Sequence, residues 1–189
     1  MTSHVIRRLL FCFLLPVLGA CNDGLGPRFW NATPDTLLIH SATRGEYVGL
    51  ASAVDVAADP VTPLPIEVPG LTDSWDFALA EQDGGLVLLP AAIIPSTGSR
   101  ARVALLEGRD FDALEEAPRD TALFSATAVP VRSDAVYVIR SRRTSCGFTT
   151  GYRYAKVKPV EIDLAGGRLR FAVVRNPYCD DRSFVPPDE

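Results

Sequence analysis

The chain has 189 residues, 19 basic against 23 acidic side chains and a formal net charge of −4. Without a global basic excess, nucleic acid is not an expected partner. Hydrophobic residues make up 47% of the chain, yet no stretch after the first 20 residues is long and apolar enough to span a bilayer.

Arg7 and Arg8 precede an apolar run from Leu9 to Leu18 that is interrupted by Pro16. A run of about ten apolar residues fits the central part of a secretory leader, whereas a permanent span needs roughly 20. The run closes on Leu18, Gly19, Ala20 and Cys21. These four residues resemble the lipobox of bacterial lipoproteins: a leucine, two small residues and a cysteine. The resemblance covers only the first 21 residues. It implies removal of residues 1–20, thioether lipidation of Cys21 and acylation of the new N-terminus. Stable anchoring takes at least two chains, so the implied first partner is the lipid bilayer, through acylated Cys21. An ordinary secretory leader would leave Cys21 as an odd thiol once Cys12 had gone and Cys146 had paired with Cys179, an unusual outcome in an oxidising compartment. The implied location is the bacterial cell envelope. Asn22 and Asp23 leave open whether the anchor sits in the inner or the outer membrane.

Removing residues 1–20 leaves 169, one ordinary domain. Residues 22–134 carry 7 basic and 17 acidic side chains, whereas residues 135–189 carry 10 and 6. Either the two parts neutralise each other within one domain, or the C-terminal part offers a basic face to an anionic partner. Residues 21–36 read as the lipidated cysteine and a short tether, reaching at most ~50 Å, and residues 37–189 as a single β-rich domain. Phe29 and Trp30 interrupt the tether, as a first core contact or as aromatics at the lipid interface.

Leu37 to His40 reads as a first strand, and residues 47–56 as a second. Residues 59–65 contain three prolines, the chemistry of a loop or a sheet edge. Ile66 to Val68 is a brief strand. Trp75, Phe77 and Leu79 alternate with Asp76, Ala78 and Ala80, the period of a half-buried strand. Asp83, Gly84 and Gly85 supply hairpin chemistry before a returning strand at Leu86 to Leu89. A turn at residues 95–98 and a strand at residues 101–106 follow. Residues 110–117 form the one helical candidate, capped by Asp110, with Phe111 and Leu114 on one face and Pro118 as the stop. Strands then follow at Val129 to Val131, residues 135–142, and residues 152–164 with a bend at Pro159. If Gly166 and Gly167 are the centre of a two-residue hairpin, Leu164 faces Leu169, Ile162 faces Phe171, Val160 faces Val173 and Asp163 pairs with Arg170. The expected fold is an all-β, antiparallel β-sandwich, immunoglobulin-like or a partly closed barrel, with one short helix.

In an up-down-up meander the strands before Cys146 and Cys179 run the same way, so both cysteines emerge at one end and a structural disulfide is expected. No Cys-x-x-Cys accompanies them, and no metal site is expected. With His40 the only histidine left after residue 20 and no Gly-x-Ser-x-Gly elbow, no catalytic residue is singled out. No cofactor motif is present either. Asp73 with Asp76, and Asp180 with Asp181, read as solvated loop carboxylates rather than a cation site. Tyr152, Tyr154, Lys156 and Lys158 share one strand face, and Arg140 and Arg142 lie on a neighbouring strand. This aromatic and basic patch is the expected binding surface, or else an ordinary exposed sheet face. Together these features suggest a non-enzymatic, membrane-tethered lipoprotein that binds or scaffolds an envelope protein, glycan or lipid. A structural or assembly subunit is the alternative, and an envelope enzyme comes third.

Overall fold

The structure is a computed structural model that describes Trp30 and residues 32–58, 64–93 and 99–187. The leader, Cys21, Phe29, much of the tether, the proline-bearing stretch at 59–63 and the turn at 95–98 lie outside the described residues.

Two antiparallel sheets form the sandwich. The larger has six strands, in the order β1 (Asp35–His40), β13 (Arg168–Arg175), β12 (Tyr154–Asp163), β9 (Ala135–Arg140), β6 (Arg102–Glu107) and β7 (Phe124–Ser125). The smaller has five: β3 (Ile66–Glu67), β2 (Ala53–Val54), β4 (Phe77–Gln82), β5 (Gly85–Pro90) and β8 (Val129–Pro130). A separate hairpin joins β10 (Thr144–Cys146) to β11 (Thr149–Gly151). Neither main sheet closes into a barrel, so the open sandwich holds.

Alternation explains the core. Ile39, Val103, Tyr137, Ile139, Val157, Leu169, Phe171 and Val173 project from the large sheet and meet Val54, Phe77, Leu79, Leu86, Leu88 and Val129 from the small one. Phe77 and Phe171 pack edge-on across the gap with ring centres 6.1 Å apart. The other face of the large sheet is covered too. Phe111 lies on Val136 and Val174, while Ala117, Phe124 and Phe184 cover Ala104, Val138 and Tyr154. Strand β9 is therefore buried along both faces and lacks the alternating polar side of a half-exposed strand.

The covering segment corrects the expected helix. Residues 110–117 form bends and one isolated bridge, with no helical turn. The cap exists, because Asp110 Oδ1 accepts from the amides of Asp112 and Ala113 at 2.7 and 3.0 Å. Propagation fails because the carbonyls of Phe111 and Leu114 accept from Lys156 Nζ instead, at 2.7 and 3.0 Å. A helix this short has little intrinsic stability to set against such tertiary bonds. Helical structure among the described residues is limited to single 3-10 turns at Gly45–Tyr47, Ala91–Ile93 and Thr121–Leu123. The first of these also displaces the strand expected over 47–56, of which only Ala53–Val54 pairs.

The Asp83–Gly84 turn forms as expected, both residues having positive φ, 53° and 78°, with Gln82 opposite Gly85. The second hairpin differs. Asp163 pairs with Arg168 and Ile162 with Leu169, around a four-residue loop at 164–167. Asp163 enforces the longer loop: its Oδ1 accepts from Gly166 N at 2.7 Å and its Oδ2 from Arg168 Nη2 at 2.6 Å. The register also shifts between Pro159 and Glu161. Pro159 has no amide to donate, and a bulge is where a sheet tolerates one. The shift leaves Val160 60% exposed and puts Val157, not Val160, opposite Val173.

Candidate functional site

The registers bring several chain ends together. Arg140 of β9 pairs with Tyr154 of β12, Arg175 of β13 with Ala155, and Asp35 of β1 with Val173. One end of the sandwich thus carries the end of β9, the start of β12, the end of β13 and the first residues of the domain. Cys146 and Cys179 are bonded there, with Cα atoms 6.1 Å apart. Across the staple the β10–β11 hairpin continues the β9–β12 pair outward, and its two-residue turn is Gly147 (φ 73°) and Phe148. Phe148 is 99% exposed. Behind the turn, Asp180 brackets the hairpin: its amide donates to Tyr152 O at 2.8 Å, and its Oδ1 accepts from Tyr152 N at 3.0 Å. Trp30 lies edge-on against Tyr178, ring centres 6.0 Å apart, next to Cys179 in the chain.

The expected aromatic and basic patch does not form a single open face. Arg140 lies over the rings of Tyr152 and Phe124, at 4.9 and 5.4 Å. Tyr154 is buried against Phe124. Lys156 is buried beneath the covering segment, with its ammonium 4.7 Å from the centre of the Phe111 ring. Burial lowers its pKa, while Asp112, Asp110 and Glu115 pull the other way. Only Lys158 points freely outward. Arg142 turns away altogether, because alternation stops governing direction beyond the end of β9. The residues that would have formed the patch mostly attach a second layer, which sequence spacing does not show.

Arg142 instead enters an ionic cluster between the sheets, its side chain still 23% exposed. Its Nη2 bonds Asp55 Oδ2 at 2.9 Å, and its Nη1 lies 3.4 Å from Asp76 Oδ1. Asp76 also accepts from the backbone amides of Arg142 and Ala57, at 2.6 and 2.8 Å. Two carboxylates face one guanidinium, and Asp76 has no solvent exposure. Burial pushes its pKa up to about 6, outweighing Arg142 and the two amides, with Asp55 adding repulsion. Arg142 holds its own proton more tightly: burial pulls its pKa down, but the two carboxylates more than offset it. Close by, Arg153 donates to the carbonyls of Ala57 and Ala58, and Arg175 donates to Ala58 O at 3.2 Å. The cluster fixes the segment after β2 to the ends of β9, β12 and β13.

Asp55, Arg153, Phe148 and the β10–β11 hairpin were not singled out from the sequence. Asp76 is not the solvated loop carboxylate expected, being fully buried; the signal that could have shown this is that Asp55 and Asp76 each sit between large apolar residues, where a carboxylate needs a partner. The other predicted residues lie apart. His40 is at the opposite end, its ring beside Tyr47 and its Nδ1 3.3 Å from Ala51 O. No group of three or more His, Cys, Asp or Glu among the described residues converges as a metal site would require. At that opposite end an open groove of about 610 Å³ is lined by residues including Val131, Pro159, Val160, Ile162 and Leu164. No protein-family model, curated protein or solved structure matches this chain.

Proposed function

We propose that the chain is a lipid-anchored protein of the bacterial envelope whose β-sandwich has a binding or scaffolding role rather than a catalytic one. The lipobox-like residues Leu18 to Cys21 supply the anchor in this reading. The observation that carries it into three dimensions is the contact of Trp30 with Tyr178 at the stapled end. Eight residues lie between Cys21 and Trp30, a reach of at most ~30 Å. An acylated Cys21 therefore holds the stapled end toward the bilayer and leaves the groove end facing away. The buried ions and the disulfide suit this arrangement, since they stiffen the end that bears the tether.

The test is fractionation of cells producing the full-length chain, with labelled fatty acid in the medium. The parent should incorporate label and sediment with membranes. Cys21→Ser should lose both properties. A serine variant that stays membrane-bound, or a parent that takes up no fatty acid, refutes the anchor.

A further inference from the structure

We propose that the β10–β11 hairpin is a second membrane contact, with Phe148 inserted into the interfacial layer of the bilayer to which Cys21 is anchored. The inference rests on the anchor proposed above and adds an orientation and a protein–lipid contact to it.

Among the described residues Phe148 is the most exposed of the large apolar side chains, at 99%, and it occupies the turn of the hairpin. Residues 144–151 are otherwise threonine, serine, glycine and the bonded Cys146, without a charge. An uncharged tip enters the headgroup region without desolvating an ion. Around its base stand Tyr152, Tyr178 and Trp30, all half-buried, with the exposed Arg143 reaching back over Tyr152 at 5.9 Å. Tyrosine and tryptophan rings favour the membrane–water boundary, and arginine can place its guanidinium among headgroups while its stem stays in apolar surroundings.

The hairpin is also held in position. The disulfide ties Cys146 to the segment after β13, and Asp180 bonds both polar backbone atoms of Tyr152. Gly151 lets that turn approach so closely that an added Cβ would lie 2.5 Å from Asp180 Oδ2. The far turn at 164–167 is one strand length away, ~33 Å for the ten residues of β12. A tether that leaves Trp30 beside the hairpin base brings the tip, and not the far turn, to the lipid.

A phospholipid surface fits better than a protein partner. A stable protein interface covers about 800 Å² per side around a packed apolar centre. One phenylalanine among small polar residues offers no such centre, but a single ring is a complete unit of interfacial insertion.

The test places a photoreactive benzophenone side chain at Phe148 in the full-length chain in its own envelope, and in a second sample at Leu164, which is 55% exposed at the far turn. After irradiation, mass spectrometry should find phospholipid attached at 148 and not at 164. Moving the probe to Thr149 should retain the lipid adduct with Phe148→Leu and lose it with Phe148→Ser. A protein adduct at 148, equal lipid labelling at both ends, or no lipid adduct from membrane-bound protein overturns the hairpin contact while the anchor stands. Protein found in the soluble fraction overturns both.

Discussion

The two ends of the sandwich are closed by different chemistry. At the stapled end, a disulfide and buried ions hold strands from both sheets. At the groove end, turns and half-exposed polar contacts hold the chain instead. Arg44 bonds Glu81 at 2.5 Å and the carbonyls of Ala165 and Leu164 at 2.7 and 3.1 Å, and Tyr47 donates to Gly166 O at 2.6 Å. Water competes with the second set and is excluded from much of the first. The difference teaches that removing one partner from the stapled end is costly, whereas the groove end absorbs change.

The largest effect is expected from Asp76→Ala. It leaves Arg142 with only Asp55 and strips the buried Ala57 amide and the partly buried Arg142 amide of their acceptor, a change of the kind that costs ~3–5 kcal/mol. Urea unfolding should show it, and an effect within error would mean that the cluster is better hydrated than its burial indicates. Replacing Cys146 and Cys179 together by serine opens a 33-residue separation, for which chain entropy gives about 3.5–4 kcal/mol. Reduction of the parent should reproduce that loss.

The third expectation concerns pH. Asp76 has a folded pKa of about 6 against 3.8 in the unfolded chain, so the folded protein binds more protons between those values. Stability should then fall as pH rises from about 4 to 6, by up to ~3 kcal/mol from this group. Glu67, raised by its own burial and by Asp55, acts in the same direction. Urea midpoints from pH 4 to 7 in the parent and in Asp76→Asn measure the slope. An equal slope in both would assign it elsewhere. Gly167→Ala probes the other end. Gly167 has φ 58°, and its new Cβ would lie 2.5 Å from Arg44 Nε. A left-handed alanine costs roughly 1–2 kcal/mol, and the half-buried Arg44 and Glu81 side chains, whose Nε and Oε1 would lie 2.5 and 2.6 Å from the new Cβ, have to shift with it. A loss matching that of Asp76→Ala would erase the contrast between the ends.

What was legible in the sequence was local or periodic. The Asp83–Gly84 turn needs two residues tolerant of positive φ, and they stand together. The common direction of β9 and β13 follows from counting strands, which is why the cysteines could be paired. The loop at 164–167 is longer than its two glycines alone predict because Asp163 sets its length. The β10–β11 hairpin has no apolar alternation to reveal it, being held from outside by Cys179 and Asp180. The basic patch failed for a long-range reason. Nothing near Lys156 in the chain announces that residues 111 and 114 will lie over it.

The chain has only two lysines, Lys156 and Lys158, and the first is sealed under Phe111 with its hydrogens donated to carbonyls. Amine-selective reagents applied to the folded domain therefore find one side chain to modify. A dye, spin label or surface attached through Lys158 would sit at a single known point on the large sheet, and reactivity at Lys156 would report that the layer above it had lifted.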